Sequence, residues 1–463
     1  MVLKLHANWS APFSTPITRA RNGTGAGSVR CLISRSDTES QNRVISFIGN
    51  NHESENRVKD MQLNLLGSYG QWAATLVDDT PGTLSLRNPQ WTDIGAWRKR
   101  GRQKLNELIA MPHLDRRPAV KVVRTYEYDG LYMEDLRWQF PYGPPTEAVF
   151  MKPAGSEGQL PGILALHDHG GVKYFGKRKI IRTSKKLHPF IRDHQREYYG
   201  NRAWANEIAR RGYGVLIHDV FPFESRRFIA SDLPGYVVKR MMTAPCEVGE
   251  VKPEDLESGD RVYEYEVADD ESLGDIQQYN SFGEQHEHII AKALFSSGLT
   301  WPGMFIAEDL FALRYLCSRP DIVAAHVGCG GLSGGGLRTN FIAGLDDRVK
   351  CSVTVGFMTT WLDFALNVNY THTWMVYVPH LPRFLEYPEI LGLRSPLPSL
   401  VLATDRDSLY TLDEVKRAAH ILQEVYEKAG ASEAFSFNLY EGPHKFDVPM
   451  QDEAFGWFDR WLK

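Results

Sequence analysis

From Ile163 to the C-terminus, short apolar runs and amphipathic runs take turns along the chain. That alternation constrains the fold more than any other feature. Ile163-to-His167, Gly214-to-His218, Ala324-to-Cys329, Cys351-to-Gly356, Leu400-to-Ala403 and Phe435-to-Tyr440 are apolar runs of strand length. Between or after them, Trp204–Arg211, Phe305–Cys317, Leu337–Leu345 and Leu412–Lys428 carry helical spacing, and a last helix ends the chain. A run with no polar side must be covered on both faces, and parallel neighbours need a crossover helix. The expected class is therefore α/β, a mostly parallel central sheet with helices on both faces. Ahead of it, Val120–Tyr126, Leu131–Phe140 and Ala148–Met151 are separated by Asp129-Gly130 and Gly143-Pro-Pro145, which predicts an antiparallel N-terminal strand region.

The three stretches differ in kind. Residues 1–58 read as a tail, 59–118 as a helical lead-in (Trp97, Leu105, Leu108 and Ile109 after Asp93, stopped at Pro112), and 119–463 as the catalytic domain. The first 36 residues hold no Asp or Glu but several Arg and Lys, the composition of either an organelle transit peptide or a disordered tail. Gly23–Gly27 resembles a phosphate loop but follows no strand. Long insertions are expected at about 173–200 and 228–300. The first opens with nine basic residues and one acid over 173–196, and the second includes twelve acids over 247–275. Both read as loops.

With 53 basic and 57 acidic residues in 463, the net charge is −4, which gives no global attraction to nucleic acid. No apolar stretch reaches the length of a membrane span. Five cysteines without C-x-x-C spacing argue against a disulfide framework or a zinc site and for a reducing, cytoplasmic setting.

The chemistry concentrates at Gly331-Leu332-Ser333-Gly334-Gly335, a G-x-S-x-G pattern directly after an apolar strand and before a helix. That is the setting of a nucleophile elbow, where a strained turn exposes the serine and glycines let strand and helix approach. A serine hydroxyl needs a base held by an acid. Downstream strands end in Thr404-Asp405-Arg406-Asp407 and in Glu441-Gly-Pro-His444, so His444 is the expected base. Asp407 is the expected acid because it sits a turn beyond the strand, with Asp405 as the alternative. Oxyanion donors are expected from the amide of Gly334 and from Gly170, Gly171 or Val172 in the loop His167-Asp-His169-Gly-Gly-Val-Lys173. His167 and His169 lack a third ligand, and His286 and His288 read as a solvated helix face, so no metal and no cofactor is expected.

These residues resemble the α/β-hydrolase superfamily, in particular its dienelactone-hydrolase-like branch with acetyl-xylan-esterase-like proteins. The resemblance spans roughly 90–463 and rests on Trp97-Arg98, the His167–Gly171 loop, Arg211-Gly-Tyr-Gly214 with Asp219 and Glu224-Ser-Arg-Arg227, the Arg319–Gly336 elbow, Leu345-Asp-Asp-Arg348, Gly356–Trp361, and the Asp407 and His444 loops. It implies Ser333 as nucleophile, His444 as base and Asp407 as the acid that orients it. Some members use cysteine, but Cys329 lies four residues before Ser333, inside the strand. Pocket candidates are His169, Lys173 and Trp361.

The expectation is a serine hydrolase of small acyl esters, including esters of carbohydrates, with a small-molecule substrate, no nucleic-acid partner and no membrane span. A peptidase or lactone hydrolase on the same fold is the first alternative. No propeller-like repeats precede the catalytic region, which counts against a peptidase. A non-catalytic binding protein is the second, and it would be expected to lack part of the triad. Two expectations for the basic stretch stand side by side. Lys173, Lys177 or Arg178 attracts an acidic ester, or the stretch pairs with the acidic one.

Overall fold

The computed structural model describes residues 64–114, 118–242, 266–267 and 271–463. The tail, the glycine run at 23–27, Cys31, Cys246 and most of the acidic stretch lie outside the described residues. Residues 63–463 form one compact unit. The helical lead-in is therefore part of the catalytic unit.

Among the described residues nine strands build the main sheet: β1 Lys121–Tyr128, β2 Leu131–Trp138, β3 Thr146–Pro153, β4 Leu160–Ala165, β5 Gly214–His218, β6 Ile322–Leu332, β7 Cys351–Val355, β8 Ser399–Thr404 and β9 Phe435–Tyr440. Their order is β1-β2-β3-β5-β4-β6-β7-β8-β9. The pairs β1–β2, β2–β3 and β3–β5 are antiparallel, and every pair beyond is parallel. The helices used below are α1 Ile94–Ile109, α2 Pro189–Tyr199, α3 Trp204–Arg210, α4 Leu273–Ser296, α5 Trp301–Ser318, α6 Gly334–Leu345, α7 Leu412–Lys428 and α8 Val448–Leu462.

The apolar strands sort their side chains by parity. Leu164, Leu166 and Leu216 face a core shared with α1, α5, α6 and α7. Ile163, Ala165, Val215 and Ile217 face a second core with α3 and α8. This two-sided burial is why these runs show no polar alternation. Helix α1 starts where the Asp93 carboxylate accepts the Ala96 amide, buries Trp97, Leu105 and Ile109, and ends at Ala110 in the left-handed region.

The insertions differ from their expected loop character. Residues 189–199 and 273–296 are helices, the second capped by Ser272, which accepts the Asp275 amide. His286 is buried between Phe228 and Phe282 rather than on a solvated face. Charge density in the first segment looks like surface, yet Lys173, Lys177 and Lys179 are buried and paired.

Candidate active site

Ser333 is the single residue between the end of β6 and the start of α6, with φ 56° and ψ −120°. A side-chain-bearing residue seldom occupies that region, and the surroundings hold it there. Its amide donates to the Val355 carbonyl at 2.9 Å, and its carbonyl accepts the Leu337 amide at 2.9 Å. A Cβ on Gly331 or on Gly335 would stand 2.3 Å from the Leu166 carbonyl oxygen. The glycines of the motif are thus required by the close approach of β4, β6 and α6. Cys329 is buried in the strand and its thiol is pushed up to about 12 by burial, unsuited to act as a thiolate.

The loops after β8 and β9 are stitched to each other. The Asp405 amide donates to the Tyr440 carbonyl, and the Asp405 carboxylate accepts the Gly442 amide at 2.9 Å. Asp405 therefore ties the two loops together. Asp407 accepts the Leu409 amide at 3.0 Å with one oxygen and faces His444 Nδ1 at 2.6 Å with the other. The contact fixes the ring with Nδ1 as donor, which leaves Nε2 as the basic nitrogen. Nε2 is buried and has no hydrogen-bond partner among the described residues. His444 and Ser333 line one cavity of about 390 Å³.

The third component is the loop after β4. The amides of Gly171 and Val172 are turned back onto His169, donating to its Nδ1 and its carbonyl at 3.0 Å each. They are therefore not available as oxyanion donors. The His169 amide instead lies 2.9 Å from where a Cβ on Gly334 would sit, beside the amide that follows Ser333. At Gly171 and Val172 the expected donor is thus replaced by a candidate at His169 in the same loop.

Charge around the cavity is paired. Lys173 is buried and meets the Glu287 carboxylate of α4 at 2.5 Å. Burial raises Glu287, but Lys173 and His169 outweigh it and hold it at about 2. Burial, with Lys173, lowers His169 to about 4, so that ring is neutral at pH 7. Exposed Glu284 also lines the cavity. Lys177 is bound by Asp219 at 2.8 Å and Glu224 at 2.9 Å, and Arg178 by Glu224 and Glu271. Among the described residues Glu271 is the one member of the acidic stretch in this pairing, and the other acids are Glu147, Asp219, Glu224 and Glu287.

Trp361 does not reach this cavity. Its indole N–H donates to the Leu385 carbonyl at 2.9 Å, and Phe357 takes the place expected of it. The sequence reading also passed over Tyr198, His372, Met375 and Glu287, which line the cavity from segments without any motif. Among the described residues no group of three or more His, Cys, Asp or Glu side chains is arranged to hold a metal ion.

No protein-family model matches the chain. It is 25% identical over 350 residues to a Bacillus subtilis (strain 168) protein named "Putative hydrolase YtaP", covering 75% of this chain and 94% of that one. Among solved structures it resembles a "putative acetyl xylan esterase" from Bacteroides fragilis NCTC 9343, with TM-score 0.57 and 14% identity over 81% of this chain and 83% of that one. It also resembles a "promiscuous CE15 esterase from the marine bacterial metagenome", with TM-score 0.52 and 14% identity over 84% and 99%. The chain has the α/β-hydrolase fold. In this fold the three loops that meet at the cavity all leave the C-terminal edge of the parallel strands, where sites of open α/β sheets form. No single helix among the described residues is long and apolar enough to cross a membrane.

Proposed function

We propose that this chain is a serine hydrolase of carboxylic esters. The observation that carries the reading is the 2.6 Å contact between His444 Nδ1 and Asp407, on a ring that shares its cavity with the strained Ser333. His444 Nε2 takes the proton as Ser333 Oγ bonds to the acyl carbon, and the amides of Gly334 and His169 receive the oxyanion. The same proton passes to the departing alkoxide. Water then attacks the acyl-enzyme, again through His444, and releases the acid.

A short acyl group suits a cavity of about 390 Å³ with Phe357, Met375, Val376 and Leu409 among its walls. Neutral esters suit it better than anionic ones. Its one lysine is consumed by Glu287, and Glu284 adds negative charge. The esterase names of the structural neighbours support acetyl-type esters, including those of carbohydrates. The test is labelling of the purified protein with a fluorophosphonate, followed by a screen over short p-nitrophenyl esters, acetylated sugars and lactones. Labelling should appear in the wild type and vanish in Ser333→Ala. An unlabelled, inactive wild type would instead favour a binding protein.

A further inference from the structure

Lys179 belongs to the basic stretch after β4, yet its side chain is wholly buried behind the loop that carries His169. An ammonium has three N–H donors and no acceptor. Here all three find main-chain carbonyls of one loop: Asp168 at 2.7 Å, His169 at 2.9 Å and Val172 at 3.1 Å. The Asp168 carboxylate is farther, at 3.4 Å, and is already served by Tyr199 Oη at 2.5 Å and His194 Nε2 at 3.2 Å. Lys179 is thus chiefly a binder of carbonyls, and the carboxylate balances its charge.

In a trans peptide the C=O and the N–H point in opposite directions. Holding the Asp168 carbonyl on Lys179 therefore turns the His169 N–H away from the lysine. Gly334 packs against this peptide, its added Cβ 2.9 Å from the His169 nitrogen. Flipping this peptide would strip a buried ammonium of an acceptor and spoil the second and third bonds with it. A fixed positive charge behind the carbonyl also polarises the peptide and strengthens its N–H as a donor.

We propose that Lys179 is a positioning residue that presets the oxyanion hole by fixing the Asp168–His169 peptide with its N–H toward Ser333. The inference rests on the ester-hydrolase reading and adds to it what keeps the second donor in place. Lys179 touches no substrate. Its effect belongs to the transition state, where charge on the acyl oxygen is largest.

The full chain is tested as Lys179→Met, which keeps length but removes every donor, and as Lys179→Gln, which keeps a two-donor amide. With p-nitrophenyl acetate, kcat of the Met variant should fall about 100-fold or more, the loss typical of a missing oxyanion donor. KM should stay within about threefold, and the Gln variant should fall between. Binding of phenylboronic acid, whose tetrahedral adduct on Ser333 places an oxygen in the hole, should weaken in parallel with kcat. A merely structural role would lower the folded fraction without moving kcat per folded molecule or boronate affinity. The proposal is overturned if folded Lys179→Met keeps kcat within about threefold. It is equally overturned if neither variant folds, since Lys179 then serves the fold. If the wild type neither hydrolyses the ester nor takes the fluorophosphonate, the ester-hydrolase reading fails instead.

Discussion

On the loop after β4 the backbone wraps around a buried ammonium and a buried carboxylate, Lys179 and Asp168. On the loops after β8 and β9 it is held by one bond between the loops, Asp405 to the Gly442 amide, and one local turn bond, Asp407 to the Leu409 amide. Both regions deliver groups to one cavity, but they have different tasks. An oxyanion donor is a main-chain amide, so only the peptide plane can be adjusted, and a buried charge is a strong means of fixing it. An acid–base pair is made of side chains, and a 2.6 Å contact between Asp407 and His444 aligns it once the turns are in place. The first region should therefore couple stability to catalysis through buried ions, and the second should separate them.

The largest expected effect breaks the second region alone. Asp407→Asn should lower kcat by about 10⁴-fold with the fold intact, because the amide favours the wrong imidazole tautomer. Asp405→Asn should cost less than about tenfold, and the reverse ranking would exchange their roles. Circular dichroism on both variants checks that the loss is chemical.

Next in size is a buried ion that does not hold the oxyanion loop's carbonyls. Lys177→Met leaves Asp219 and Glu224 facing each other in the interior. Urea unfolding should show a loss of about 3–5 kcal/mol, the usual cost of breaking a buried pair. Activity per folded molecule should be close to wild type, in contrast to Lys179→Met. A large fall in kcat without loss of stability would contradict the division drawn between the two lysines.

A smaller effect is pH-linked. The His169 ring titrates at about 4 in the fold and near 6.5 when unfolded. Below 6.5 the unfolded chain binds the proton first, so this contribution is intact above 6.5 and lost as pH falls through 4. At most it amounts to about 3 kcal/mol. His169→Gln should therefore lose less stability than wild type between pH 7 and pH 4.5 in urea titrations. Equal losses would show that the ring is not held neutral.

The smallest effect is a null one in kinetics. With Lys173 and Lys177 neutralised, added salt should change kcat/KM for an anionic and a neutral ester of the same acyl group to the same small extent. A selective fall for the anionic ester would restore the basic stretch as an attractor of acidic substrates.

The same contrast explains what could be seen in the sequence. Strand and helix alternation, the glycines about Ser333, and the loops carrying Asp407 and His444 were legible because each depends on local pattern: apolar period, turn chemistry, order along the chain. That the Gly171 and Val172 amides turn back onto His169 has no local signature, and neither has Lys179, which holds the His169 carbonyl from ten residues further on and is buried. Runs of charge gave no hint of burial, since a lysine that meets three carbonyls is spelled like one on the surface. Trp361 illustrates the converse, a residue close to the site in sequence whose ring the core claims for Leu385. The walls supplied by Glu287 and His372 come from segments joined to the site only by tertiary packing.

On the proposed reading Ser333 carries the acyl group in a reaction driven by His444. Rapid acid quench of wild-type protein mixed with p-nitrophenyl acetate, followed by peptide mass spectrometry, tests it directly. One acetyl group is expected on the peptide containing Ser333, formed within a burst of p-nitrophenol, and it should disappear in Ser333→Ala and in His444→Gln. Acetyl transfer to another residue, or a burst that persists in Ser333→Ala, would contradict it.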